Sequence, residues 1–110
     1  MSSTLFNYSE LLENLNGDEE FVSSILGEAL VEIPKDVEQL KELFNGEDAK
    51  SISICAHTTK GMAANLCFPA LRDILFKIEV SAREGELETA RSYLPEMEQV
   101  VRMTLEAIIH

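Results

Sequence analysis

Apolar residues recur three and four positions apart along most of the chain, which is the spacing of an α-helix. A short first helix is expected over residues 8–15, where the pair Asn16-Gly17 ends it. A second helix begins at Asp18, because the carboxylates at positions 18–20 suit the positive end of a helix dipole. The apolar stripe of this second helix consists of Phe21, Val22, Ile25, Leu26, Ala29, Leu30 and Ile33.

Two prolines lie inside helical stripes. Apolar residues resume after Pro34, so we expect a kink in the second helix there rather than a stop, with the helix ending at Asn45-Gly46. The last stripe covers residues 87–108, and Pro95 is expected to split or kink it.

Between these stripes, a third helix is expected over about residues 47–66 and a fourth from Pro69 to Gly85. No stretch alternates with the period of two that marks a strand. The prediction is an all-α fold: an antiparallel four-helix bundle with a short additional N-terminal helix, forming one domain over residues 1–110.

The chain is strongly acidic. It has 20 Asp and Glu against 9 Lys and Arg, for a formal charge of −11. Such a charge repels phosphate backbones and anionic lipid, so nucleic acid and membrane surfaces are not expected as partners. The charge fits either plain solubility or a partner with a basic or mixed docking face. With no secretory signal and no spanning segment, a cytoplasmic protein is expected, and with no second apolar stripe, a monomer.

The two cysteines and the terminal histidine suggest no special chemistry. Cys55 and Cys67 are twelve residues apart on what reads as one helix, about 18 Å by its rise per residue, which is beyond disulfide reach. They are expected to fill the core in a reducing compartment. No Cys/His cluster has the spacing of metal ligands, and His110 is expected to be a frayed, solvated terminus.

Candidate chemistry lies in the stretch AHTTKGMAANL, which places a histidine near the middle of the third helix. On a helical wheel, His57 points away from the only good core stripe of that helix. A metal site is not favoured, because no second ligand follows three or four residues later. The alternative is an ordinary surface histidine beside a tolerated glycine. The residues that fall within about 60° of His57 are Ser53, Lys60, Gly61 and Ala64, with Lys50 one turn further back, and Ile54 lies near this face. The opposite, core-side stripe is Ile52, Cys55, Thr59, Met62 and Leu66.

The neighbours of His57 would let another protein come close. Gly61 inside a helix costs about 1 kcal/mol relative to alanine, and here it clears space beside the imidazole, as does the small Ala64. Lys60 supplies a cation that could meet an anion held on the ring. Ile54 is the best apolar candidate for a docking contact.

These residues resemble the core of the histidine-containing phosphotransfer (HPt) domains of two-component phosphorelays. His57 stands where the family has its phosphoacceptor, and Lys60-Gly61 follow as in its H-x-x-K-G pattern. The resemblance extends through FNGEDAKSISICAH upstream and LRDILFKIEVSAREGELE downstream. It implies a helical bundle with an exposed histidine, and a carboxylate from the next helix that orients the imidazole. Glu79 falls at that position, although a solvated surface glutamate is the alternative.

The resemblance implies a phosphoryl relay. His57 would accept the group from the phospho-aspartate of a response-regulator receiver domain, supplied by a hybrid histidine kinase, and pass it to another receiver. The chain would be a carrier with no bound cofactor and no ATP-dependent kinase activity, since Mg²⁺ would come with the receiver. Two positions depart from the family pattern: Cys67 stands where glycine often ends the helix, and Thr59 where a large aliphatic residue is usual. The hydroxyl of Thr59 is expected to donate a hydrogen bond to a carbonyl in the preceding turn.

Three rival functions are open. The same bundle could be a receiver-binding adaptor or inhibitor without phosphotransfer. It could be an unrelated helical interaction module in which the His57 cluster is accidental. A small helical enzyme ranks last, because the sequence offers no paired carboxylates, no nucleophile with a base and no basic substrate clamp.

Overall fold

The chain folds into six α-helices in a computed structural model that describes residues 4–109. No strand occurs in that range, which confirms the all-α prediction. The expected frayed terminus, His110, lies outside the described residues. None of the described helices is both long enough and apolar enough to cross a membrane. The helices are α1 (Tyr8–Asn14), α2 (Glu19–Leu43), α3 (Ala49–Asn65), α4 (Pro69–Arg83), α5 (Leu87–Ser92) and α6 (Leu94–Ile109).

Polar side chains begin the first three helices. The side chains of Asn7, Asp18 and Asp48 each accept a hydrogen bond from the backbone N–H three residues later, at 3.0–3.1 Å. Each satisfies one of the N–H groups that a helix N-terminus leaves without an intrahelical partner. Helix α4 begins instead with Pro69, whose missing N–H costs nothing at that position.

The two prolines have different consequences. Helix α2 continues through Pro34 without a break, so the prediction that this residue would not stop the helix is confirmed. The last stripe, expected to be split or kinked at Pro95, is split into α5 and α6. Tyr93 separates them, and Pro95 is the second residue of α6, a position that tolerates proline.

Four helices enclose the hydrophobic core. Helices α2, α3, α4 and α6 contact one another in a closed ring, and the contact between α3 and α4 is by far the most extensive. Helix α1 and the segment before it close one end, where the Phe6 ring packs edge-on against Phe68. The largest fully buried side chains are Leu11, Val22, Ile33, Leu40, Ile52, Phe68, Leu71, Ile74, Leu75, Ile78, Met97 and Thr104.

The core face of α3 is rotated from the one that the helical wheel predicted. Ile52 and Thr59 are buried as expected, but Cys55, Met62 and Leu66 are only half-buried. Ala56 and Ala63, which the wheel did not assign to the core, are fully buried. Small residues let two helix backbones approach closely, so these alanines allow close packing on this face of α3. The side chain of Thr59 is accommodated in the core because its hydroxyl donates to the carbonyl of Cys55 at 3.0 Å, as predicted.

Cys67 ends α3 in a conformation that favours glycine. Its φ is +61°, in the left-handed region. Phe68 N–H donates to the Ala63 carbonyl at 2.9 Å and Cys67 N–H to the Ala64 carbonyl at 3.2 Å, which is the Schellman pattern of a helix C-terminus. The departure from the family's glycine therefore leaves the helix end where a glycine would put it. Both cysteines are free thiols; Cys67 is buried and Cys55 half-buried.

Replacing Cys67 should separate the backbone strain from the side-chain packing. We expect Cys67→Gly to be more stable than Cys67→Ala by about 1 kcal/mol, because only glycine adopts a positive φ without steric cost. Chemical denaturation of both variants measures the difference. At Ala64, in regular helix and exposed, the same comparison should reverse, with glycine about 1 kcal/mol less stable than alanine. Equal stabilities at position 67 would contradict the strained backbone.

Candidate functional site

His57 lies in the middle of α3 with its side chain 66% exposed. It therefore projects from the bundle, as the helical wheel predicted, and is not a core histidine. An imidazole on a regular helix is held at its Cα, but its ring can still rotate. What fixes the ring is the contact it makes with the neighbouring helix.

Glu79 on α4 provides that contact. Its Oε2 atom lies 2.9 Å from Nδ1 of His57, and the Glu79 side chain is only 5% exposed. The alternative of a solvated surface glutamate is therefore wrong. An ionised carboxylate can only accept hydrogen bonds, so Nδ1 carries the proton and donates it. The other ring nitrogen, Nε2, is left with its lone pair free for nucleophilic attack.

The Glu79 carboxylate also has two cationic neighbours. Lys60 Nζ lies 2.8 Å from Glu79 Oε1, and Arg83 Nη1 lies 3.5 Å from Oε2. Lys60, a turn after His57, extends toward α4 and its side chain is only 22% exposed. Its ammonium also lies 5.1 Å from the centre of the Phe76 ring. Lys60 is therefore an ion-pair partner of Glu79 in this structure.

The acidity of Glu79 follows from these contacts. Burial acts to raise the pKa of this carboxyl, but the hydrogen bonds from Lys60 and His57 and the positive charge of Lys60 outweigh it. The pKa of Glu79 consequently lies below its ordinary value of 4.5. The carboxylate is ionised at neutral pH and can hold the His57 proton in place.

The remaining predicted residues form the rim around the imidazole. Ile54 is more than half exposed and Ser53 half-buried, one turn before His57. On the other side Ala64 is exposed. A Cβ atom added to Gly61 would meet no other atom within 4 Å, so the space beside the imidazole is open. Six of the seven residues predicted for the site therefore lie on α3 around His57, and the seventh, Glu79, faces them from α4.

The sequence reasoning missed Arg83 and Phe76. Both lie on α4 at helical spacing from Glu79, Arg83 four residues after it and Phe76 three residues before it. That spacing places all three side chains on one face of the helix, so placing α4 on a wheel around Glu79 would have found them. Within residues 4–109, no group of three or more His, Cys, Asp or Glu side chains could hold a metal ion.

A comparison with protein families covers the part of the chain that holds this site. The family model described as "Hpt domain" matches residues 24–109, a stretch that includes His57, Lys60, Glu79 and the rim. The chain belongs to the Hpt family. The resemblance seen in the sequence is thereby confirmed for most of the length of this Hpt chain.

One curated relative resembles the Hpt chain in sequence. It is the "Phosphorelay intermediate protein rdeA" of Dictyostelium discoideum, 30% identical over 97 residues. The match covers 88% of the Hpt chain but 36% of the relative, so the chain spans about a third of the length of that relative. No solved structure matches the Hpt chain.

The lowered pKa of Glu79 predicts how the stability of the Hpt domain depends on pH. Because the folded pKa is below 4.5, the ionised carboxylate stabilises the fold fully above that pH, and the contribution is lost as pH falls through the lowered pKa. Glu79→Gln should therefore destabilise the protein at pH 7, by roughly 1–3 kcal/mol, because Lys60 and Arg83 lose their anion. Denaturant unfolding of both proteins from pH 7 to 3 should show this difference shrinking below pH 4.5.

Glu84→Gln is the matched control, since Glu84 follows α4 directly and is exposed. Its effect on the free energy of unfolding should stay within about 0.5 kcal/mol. A Glu79→Gln variant as stable as this control at pH 7 would contradict the stabilising role of the buried carboxylate.

Proposed function

We propose that this Hpt protein is a phosphoryl carrier in a two-component phosphorelay. The observation that carries the proposal is the exposed imidazole of His57, whose Nδ1 is tied to a buried, ionised Glu79 while Nε2 is free. Membership of the Hpt family and the likeness to a protein named as a phosphorelay intermediate support it.

The transfer uses the two ring nitrogens for different tasks. The Nε2 lone pair attacks the phosphorus of a receiver domain's phospho-aspartate; an N–P bond forms, the P–O bond to the aspartate breaks, and the carboxylate leaves with its electron pair. The imidazole then carries both a proton on Nδ1 and a phosphoryl group on Nε2, so it is positively charged. The Glu79 carboxylate, 2.9 Å from Nδ1, stabilises that charge as it develops.

Positioning and charge account for most of the catalysis in such a transfer, because its transition state is loose and highly charged. Lys60 holds Glu79 ionised, and its ammonium is the nearest cation on α3 for the incoming phosphoryl oxygens. Gly61 and Ala64 let the receiver approach, and Ser53 and Ile54 contribute the docking contact. The receiver brings Mg²⁺, and this chain binds no cofactor of its own.

The cellular setting is part of the same proposal. A hybrid histidine kinase supplies the phosphoryl group through its receiver, and a second receiver aspartate removes it from His57. The carrier is a cytoplasmic monomer, one Hpt domain built as an antiparallel four-helix bundle with short connections between neighbouring helices. We expect the phosphohistidine to persist until a receiver docks.

The experiment that tests this function mixes the protein with Mg²⁺ and receiver domains radiolabelled on aspartate. Label should move to the protein, be lost in acid and survive alkali, as expected of a phosphohistidine. His57→Gln should abolish the transfer and His110→Gln, at the second histidine of the chain, should not. Absence of label from a panel of receivers, with the fold intact and binding retained, would reject phosphotransfer and favour the adaptor.

The open space at Gly61 predicts a steric effect on docking. Gly61→Gln should fold normally, since its Cβ meets no atom within 4 Å, but it should slow phosphoryl transfer from the receiver roughly tenfold or more by displacing the partner from the imidazole. Single-turnover transfer kinetics measure this. Gly27→Gln is the matched control, because Gly27 also lies inside an exposed helix face with open space around it. Equal rates for the two variants would contradict a close approach at Gly61.

A further inference from the structure

Phe76 is a large aromatic side chain that the bundle leaves 50% exposed. It lies on α4, one turn before Glu79, and does not belong to the hydrophobic core. Its ring is nevertheless in contact, since the Lys60 ammonium lies 5.1 Å from the ring centre. That distance is within the range of a cation–π interaction.

The ring and the carboxylate together fix the end of a flexible side chain. Lysine has a four-carbon stem with several rotatable bonds, so one ion pair leaves its ammonium many orientations. In this site the Lys60 ammonium is held between the Phe76 ring and Oε1 of Glu79, at 2.8 Å from that oxygen. The other oxygen of the same carboxylate holds Nδ1 of His57. A continuous chain of contacts therefore runs from the aromatic ring to the imidazole.

We propose that Phe76 is a positioning residue for His57: its ring holds Lys60 on Glu79, and thereby keeps the imidazole in the tautomer with the proton on Nδ1. The catalytic consequence rests on the proposed phosphotransfer, whereas the effect on the tautomer does not. Phe76 acts only through Lys60 and Glu79 and needs no contact with the phosphoryl group.

Removing the ring would act on Glu79 first. Without the ring face, the Lys60 ammonium gains solvated orientations that lie away from Oε1. The Glu79 side chain is 5% exposed, so water cannot fully replace a lost cation there. The carboxylate then turns toward Arg83 or binds a proton more readily, and its hold on the His57 N–H weakens.

The tautomer can be observed directly by NMR of the ring nitrogens in ¹⁵N-labelled protein, with the His57 signals assigned by their loss in His57→Gln. Wild type should show predominantly the neutral tautomer protonated on Nδ1. Phe76→Leu should move population toward the other tautomer, and Phe76→Tyr, which keeps the ring face, should restore it. Phe21→Leu is the matched control, because Phe21 is a phenylalanine of nearly equal exposure, 51%, in the first turn of α2; it should change nothing.

Transfer kinetics separate positioning from docking. Phe76→Leu should lower the transfer rate at saturating receiver by about two- to fivefold, the range expected from an exposed cation–π contact. In a Lys60→Met background the same change should have no further effect on that rate or on the tautomer, because Phe76 acts through Lys60.

Each outcome tests either the proposed phosphotransfer or the positioning role of Phe76. A tautomer unchanged by Phe76→Leu would overturn the positioning role, and if only the receiver concentration for half-maximal rate changed, Phe76 would be a docking contact instead. An additive effect of Phe76→Leu in the Lys60→Met background would overturn it as well. Failure of the wild type to accept phosphate would reject the proposed function alone, since the tautomer still tests the role of Phe76.

Discussion

The site depends on the ion pairs and the hydrogen bond that surround the buried carboxylate of Glu79. An ionised carboxylate in a protein interior costs several kcal/mol unless charges and hydrogen bonds compensate it. Here Lys60 approaches one oxygen at 2.8 Å, while His57 and Arg83 approach the other at 2.9 and 3.5 Å. Two of these partners come from α3 and one from α4. The charge is therefore stable only while the two helices keep their register, and it links the packing of the bundle to the orientation of the imidazole.

The α3–α4 contact maintains that register by simple means. Ala56 and Ala63 are fully buried, and their small side chains allow close packing of α3 in a bundle that brings Glu79 within 2.9 Å of Nδ1 of His57. Thr59 lies between them in the core with its hydroxyl bonded to the Cys55 carbonyl. At the end of α3, the left-handed Cys67 sets the turn from which α4 departs. Each of these features is separate from the imidazole of His57, yet each belongs to the packing of α3 that places this ring beside Glu79.

Sequence patterns predicted the helices well and the helix contacts less well. Asn16-Gly17, Asn45-Gly46, Pro69 and Gly85 indicated the ends of helices because backbone angles and local hydrogen bonds determine those ends. The exposure of His57 followed from helical spacing alone, and the resemblance to the family pointed to Glu79. The wheel did not predict which face of α3 is buried. It assigned the core by large apolar side chains, and so missed the alanines, whose small size suits close helix packing. The half-burial of Lys60 and its contact with Phe76 depend on how α3 and α4 pack together, which a wheel of a single helix does not describe.

A nucleophile on a helix surface, which is the role proposed for His57, must be both exposed and rigidly held, and its imidazole satisfies both demands. Its Nδ1 edge is anchored to a carboxylate that is 5% exposed, while the side chain as a whole stays 66% exposed. A lysine amine or a serine hydroxyl at this position has a single polar atom, which would have to serve as anchor and nucleophile at once. Two nitrogens on one rigid ring divide these tasks, so the bundle can fix the side chain from within and leave the reacting face open to a partner.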